Sequence, residues 1–215
     1  MHLNAFLHKR LLVVVAHQDD ESLYFGGLLS SIRGRAEIGL ICTTAPMPGR
    51  ADTDHRVANF HRVGELLQCR SVKCLQLPDC GPRGKAYPSE RLATEIAVKL
   101  SEIGETYDMI ITHNHLGEPN KVYGPFGHEA HKATHVGVVA AIRAPIVVCG
   151  LGLNRVSLEI EYDRESKKSL IDCYAPWWTA RGYDFCYQPE PYSFHTTGQK
   201  LFPGRLPTHA RECSA

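Results

Sequence analysis

Residues 17–21 read His-Gln-Asp-Asp-Glu, and they follow directly on the apolar run LLVVVA of residues 11–16. Such a run belongs in a protein interior, where an uncompensated carboxylate is costly to bury. Two neighbouring aspartates also resist being ionised together unless a cation stands by them. A divalent metal ion resolves both conflicts. Adjacent loop carboxylates point in different directions, so one of Asp19 and Asp20 can bind the ion while the other takes a proton from water. A second set of donors lies far along the chain. His128, His131 and His135 are spaced i, i+3 and i+7, along one face of a helix, and His113 and His115 precede them. Two imidazoles and one carboxylate, with a fourth position left to water, make the donor set of hydrolytic zinc. The first loop can supply the carboxylate and one imidazole, and the start of the later helix the second. His131 and His135, one helical turn apart, are a rival chelating pair.

Two plainer readings compete. An Asp-Asp pair after a first hydrophobic strand also serves phosphoacceptor signalling domains, which hold magnesium. A histidine-bearing helix face can simply be solvated. Both have to fail together for the zinc reading to hold, and the joint pattern of the two donor clusters favours it.

The elements that must position these groups alternate. Strand-like runs occupy 11–16, 37–44, 72–78, 108–113, 145–150 and 156–163, and amphipathic stretches lie between them. Helices are expected at 21–33, weakened by Gly26-Gly27, then up to Leu67, from Ser89 as N-cap, at 128–142 and at 164–175. Leu92, Ile96, Leu100 and Ile103 give the third of these one buried face. That order predicts a single-domain, three-layer α/β protein of Rossmann-like character with a mostly parallel sheet, spanning 1–215. From about residue 176 the tail shows no clear period. In open sheets of this kind ligands gather at the carboxyl ends of the strands. The runs ending at residues 16 and 112 both end in ligand-rich loops.

Composition narrows the function. Apolar residues are 43% and the formal net charge is +1, so nothing marks nucleic acid or an anionic membrane as a partner. No apolar run approaches the length of a membrane span. The eight cysteines include no CxxC pair, and Cys42 and Cys149 sit in strand-like runs, which is the expectation for a reduced, cytoplasmic protein.

The two motifs together resemble the PIG-L/LmbE family of zinc-dependent N-acetylglucosaminyl deacetylases. The family's first motif is AHPDDE, and residues 16–21 here are AHQDDE. Its second is roughly THNPxGEYGHPDH, and residues 112–131 read THNHLGEPNKVYGPFGHEAH, with an insertion. Arg56 and Asp79 also match family positions, and the likeness runs from residue 11 to about 175. The resemblance implies Zn2+ held by His17, Asp20 and His131. Asp19 would be the general base toward water. His128, as imidazolium, would stabilise the oxyanion and protonate the departing amine. Arg56 and Asp79 would hold sugar hydroxyls or a phosphate. The implied reaction removes an N-acetyl group from a small amino sugar or aminoglycoside-like molecule, with another small-molecule amide, such as a thiol conjugate, as the alternative. A homo-oligomer is compatible with the resemblance.

Three departures stand out. Gln18 replaces the family's proline, which frees a φ angle and adds an N–H. HEAH replaces HPDH, so Ala130 stands where an aspartate can orient the catalytic histidine. The insertion from Pro119 to Tyr123 and the pair Trp177-Trp178 are expected to shape the substrate pocket.

Overall fold

In the computed structural model, residues 2–46, 53–80, 87–119, 124–154, 156–174 and 190–194 are described. The central strand β1, Arg10–Val15, shows why the apolar run is continuous. Leu11, Val13 and Val15 enter one hydrophobic cluster, and Leu12, Val14 and Ala16 enter another. Side chains alternate across a strand, so both faces of β1 are covered.

Helix α1 (Asp20–Ile32), helix α2 (Thr53–Leu66) and helix α5 (Arg164–Asp172) cover one face. Helix α3 (Ser89–Ser101) and helix α4 (Glu129–Ala141) cover the other. Strands β2 (Glu37–Thr44), β3 (Ser71–Leu77), β4 (Met109–Thr112) and β5 (Ile146–Cys149) run parallel to β1. Strand β6 (Leu158–Ile160) and strand β7 (Glu190–Phe194) complete a seven-stranded sheet in the order β3-β2-β1-β4-β5-β7-β6. The three-layer α/β architecture expected from the alternation is therefore present. No described helix is long and apolar enough to cross a membrane.

The order reverses direction between β1 and β4, which are hydrogen-bonded neighbours. That is the switch point at which crevices open in such sheets. It brings the loop after Ala16 beside the loop after Thr112, although nearly a hundred residues separate them.

Three local expectations change. The tail contains β7, which lies antiparallel between β5 and β6. Its five residues include Pro191, and its pairing partners are distant in sequence, so no local period announces it. Strand β6 is shorter than 156–163, because β7 pairs only with Leu158–Ile160. The N-cap of α3 is Pro88, with Ser89 already helical. Residues 120–123 of the insertion and Trp177-Trp178 lie outside the described residues. Cys42, Cys69, Cys74, Cys80, Cys149 and Cys173 are free thiols.

Helices α3 and α4 pack closely at Gly137. A Cβ there would fall 2.6 Å from Ile96 Cγ2 and 2.9 Å from the Ala93 carbonyl oxygen. Gly137→Ala is therefore expected to destabilise the fold by about 1–3 kcal/mol through overpacking. Alanine's better helix propensity, worth about 1 kcal/mol, works the other way. A urea midpoint that stays level or rises would refute the close contact.

Candidate metal centre

The site begins with a backbone contortion. Asp19, the N-cap of α1, has φ 134° and ψ −25°, a conformation that ordinarily costs a non-glycine residue roughly 1–3 kcal/mol. Glu21 holds it there, because its Oε2 accepts the Asp19 N–H at 3.0 Å. Ser22 Oγ and the Tyr174 hydroxyl donate to the other oxygen of Glu21 at 2.8 and 2.7 Å. Burial, only partly offset by the Tyr174 bond, pushes the Glu21 carboxyl up to about 8.

The consequence is that the two aspartates diverge. Asp19 faces Arg56, whose Nη2 donates to Asp19 Oδ2 and, at 2.8 Å, to the Gln18 carbonyl. Asp20 turns instead toward the imidazoles, and the His17 N–H fixes its Oδ2 at 2.7 Å.

Around Asp20 three atoms form a nearly equilateral triangle. Asp20 Oδ2 is 3.3 Å from His17 Nδ1 and 3.4 Å from His131 Nε2, and those two nitrogens are 3.3 Å apart. A tetrahedral ion with bonds of about 2.0–2.1 Å separates its ligands by about 3.3–3.4 Å, so the triangle has the dimensions of one face of such a site. Donor atoms of His17, His128 and His131 also lie within 4.8 Å of one another, as do those of Asp20, His113 and His131. His131 belongs to both sets.

The electrostatics of the cluster follow from its burial and from the charges packed within it. Burial opposes a charge on His17, yet Asp20 and Asp79 outweigh it and raise the imidazole to about 10. Burial likewise opposes ionised Asp20, but the charges of His131, His17 and His113 hold its carboxyl well below the ordinary range. Burial lifts the Asp19 carboxyl to about 6, against the pull of Arg56.

Asp79 Oδ2 lies 3.5 Å from His17 Nε2, so it backs the far side of that ring. Arg56 is turned to Asp19. Both therefore have partners within the cluster, which the expected role in holding substrate did not include. His128 caps α4, and its Nδ1 accepts the Ala130 N–H at 3.2 Å. The backbone amide of Ala130 thus occupies the nitrogen that an aspartate would hold in HPDH. The proton of a neutral His128 then sits on Nε2, and burial together with the charges of His17 and His131 pushes the ring down to about 2. An imidazolium would turn a second N–H against that amide.

His135, the rival ligand, is buried below the site, with Nδ1 2.8 Å from the His113 carbonyl oxygen. It belongs to neither donor set among the described residues. Gln18 is buried too, and its Nε2 donates to the Thr44 carbonyl at 2.8 Å. Two residues had no assigned place. His113 Nε2 accepts the Ala16 N–H at 3.1 Å and lies 3.2 Å from Asp20 Oδ2. Glu118 touches both His113 and His131. Both lie within the second motif, but spacing alone does not show where their side chains aim.

Comparison with known proteins gives a family and a fold. Residues 12–142 match the family model described as PIG-L, GlcNAc-PI de-N-acetylase. The fold is similar to N,N'-diacetylchitobiose deacetylase from Pyrococcus horikoshii, with a TM-score of 0.63 and 13% identity over 87% of this chain and 84% of that one. It is also similar to the zinc-inhibited form of teicoplanin deacetylase Orf2, with a TM-score of 0.64 and 14% identity over 87% and 99% of the two chains. GalB, the 4-carboxy-2-hydroxymuconate hydratase from Pseudomonas putida KT2440, shares the fold as well, with a TM-score of 0.56 and 13% identity over 79% and 80%. At such identities the likeness is one of fold, and the hydratase shows that the fold hosts more than one chemistry. Among curated proteins no sequence matches the chain.

Proposed function

This chain belongs to the PIG-L family, the GlcNAc-PI de-N-acetylase family, and on that premise we propose that it hydrolyses the acetamide of a small N-acetylated amino sugar, releasing acetate and a free amine. The observation that carries the reading is the triangle of Asp20, His17 and His131, with Asp19 held beside it by Arg56 and not part of it.

The residues present fit zinc, which His17, Asp20 and His131 would hold. Bound there, it would supply Lewis acidity toward the acetamide carbonyl and the attacking water. The protein's own groups do the rest. Asp19, held by Arg56 and by its backbone bond to Glu21, takes the proton from water as general base. It then carries that proton to the departing nitrogen. His128 donates from Nε2 to the oxygen that becomes negative, and the Ala130 amide keeps the ring in the required tautomer. A neutral donor aimed at developing charge still stabilises the transition state. In this reading His128 acts as an N–H donor in place of an imidazolium, and the shuttle of the proton passes to Asp19.

The test is acetate release by zinc-loaded protein from a panel running from free and nucleotide-linked N-acetylglucosamine through chitobiose to pseudodisaccharide antibiotics. Asp19→Ala serves as the control. Release from one member, lost in the control, would establish reaction and substrate class together. Silence across the panel with zinc bound would move the assignment to another amide, such as a thiol conjugate. His131→Ala should lower the zinc content of purified protein to near zero. Full retention would remove the triangle as the metal site.

A further inference from the structure

Glu118 lies in the loop that leaves β4, and no step above uses it. Its backbone lies at φ 52°, in the left-handed region, which costs a non-glycine residue roughly 1 kcal/mol or more. Gly117 before it, at φ 70°, comes so close to α4 that a Cβ would fall 2.5 Å from the His128 carbonyl oxygen. The tight loop drives the Glu118 side chain inward, where it is fully buried. There Oε1 accepts the Asn114 N–H at 2.6 Å. Oε2 lies 2.9 Å from His113 Nδ1 and 2.8 Å from His131 Nδ1.

An ionised carboxylate only accepts hydrogen bonds, so both Nδ1 atoms must carry hydrogen. In the neutral rings both Nε2 atoms are then left with lone pairs. That of His113 meets the Ala16 N–H. That of His131 faces the triangle. The two rings stack with centroids 3.9 Å apart and planes 17° apart, so one carboxylate oxygen locks them as a unit.

We propose that Glu118 is a positioning residue that selects the Nδ1–H tautomer of His131 and thereby presents its Nε2 lone pair to the metal. The role rests on the metal-site reading above. A partner of this kind, outside the ligands themselves, commonly governs metal affinity by 10–100-fold.

Glu118→Gln separates this role from mere packing, because the side chain keeps its shape. If the amide oxygen faces the histidines, the NH2 group meets the Asn114 N–H. If the oxygen faces Asn114, the NH2 group meets both Nδ1 atoms and favours Nε2–H, which removes the lone pair from the triangle. The first readout is the 15N NMR signature of His131 in metal-free protein. Wild type should carry its neutral proton on Nδ1, and Glu118→Gln should shift it to Nε2. The second is zinc affinity by chelator competition, expected to fall by about 10–100-fold. If wild type binds no zinc, the metal reading itself fails. If wild type binds zinc and Glu118→Gln binds it equally well, only the role of Glu118 fails. Should the variant not fold, the wild-type tautomer decides alone, and Nε2–H on His131 would overturn the proposal.

Discussion

Asp19→Asn is expected to lower kcat/KM by about 10²–10⁴-fold while zinc content stays at the wild-type level, the loss being that of a general base. The substitution is well suited to the site. Asparagine keeps the backbone N–H that Glu21 accepts, so the contorted N-cap can persist. Its side chain has nearly the same shape but no basicity. Asp20 keeps its bond to the His17 N–H and its place in the triangle, because the two aspartates face different partners. The effect should therefore divide cleanly, with metal by elemental analysis unchanged and turnover lost. Loss of zinc together with activity would mean that Asp19, not Asp20 alone, holds the ion. Activity within about tenfold of wild type would mean that another group takes the proton.

The largest stability effect is expected at a pair far from the chemistry. Lys167 and Glu190 are both buried, with Nζ 2.5 Å from Oε1. They are wedged against the middle of α1. Lys167 Nζ donates to the Leu23 carbonyl at 2.8 Å, and the Tyr192 hydroxyl donates to the Tyr24 carbonyl at 3.2 Å. Glu190 accepts the N–H groups of Gly27 and Leu28 at 2.7 and 2.8 Å. Those are the acceptors and donors of two successive helical rungs, so side chains from α5 and β7 insert into the ladder of the helix that begins with Asp20. Gly27 makes the approach feasible, since a Cβ there would lie 2.3 Å from the Tyr162 ring.

Glu190→Ala would leave a buried ammonium without its carboxylate and should cost about 3–5 kcal/mol. Lys167→Met should cost a similar amount. Combining Lys167→Met with Glu190→Leu should recover part of the loss, since removing both charges avoids leaving one unpaired. Urea unfolding of the three variants measures the coupling. Simple additivity of the two single losses would show that the ions act independently, against the geometry.

Much of this protein is determined by its sequence alone. The continuous apolar run of β1 requires cover on both faces, and the alternation of strands with amphipathic helices predicts a parallel sheet between two helical layers. The ends of β1 and β4 can be read as donor-rich loops from residue type. A metal is implied because two adjacent aspartates after a buried strand need a cation. These inferences work because they rest on local period and on the cost of burying charge, both of which are written along the chain.

The tertiary structure decided what local period does not encode. Strand β7 owes its existence to pairing with Val147–Cys149 and Leu158–Ile160, and such contacts leave no repeat in a five-residue segment containing Pro191. The divergence of Asp19 from Asp20 depends on a backbone angle held by Glu21 and, through it, by Tyr174 from a distant helix end. His131 and His135 are equal candidates by spacing, and only the packing of α4 on the sheet turns one toward Asp20 and the other beneath it. The tautomers of His128 and His131 follow from hydrogen bonds with Ala130 and Glu118. Hydrogen bonds have direction, and direction becomes defined only when elements from different parts of the chain have met.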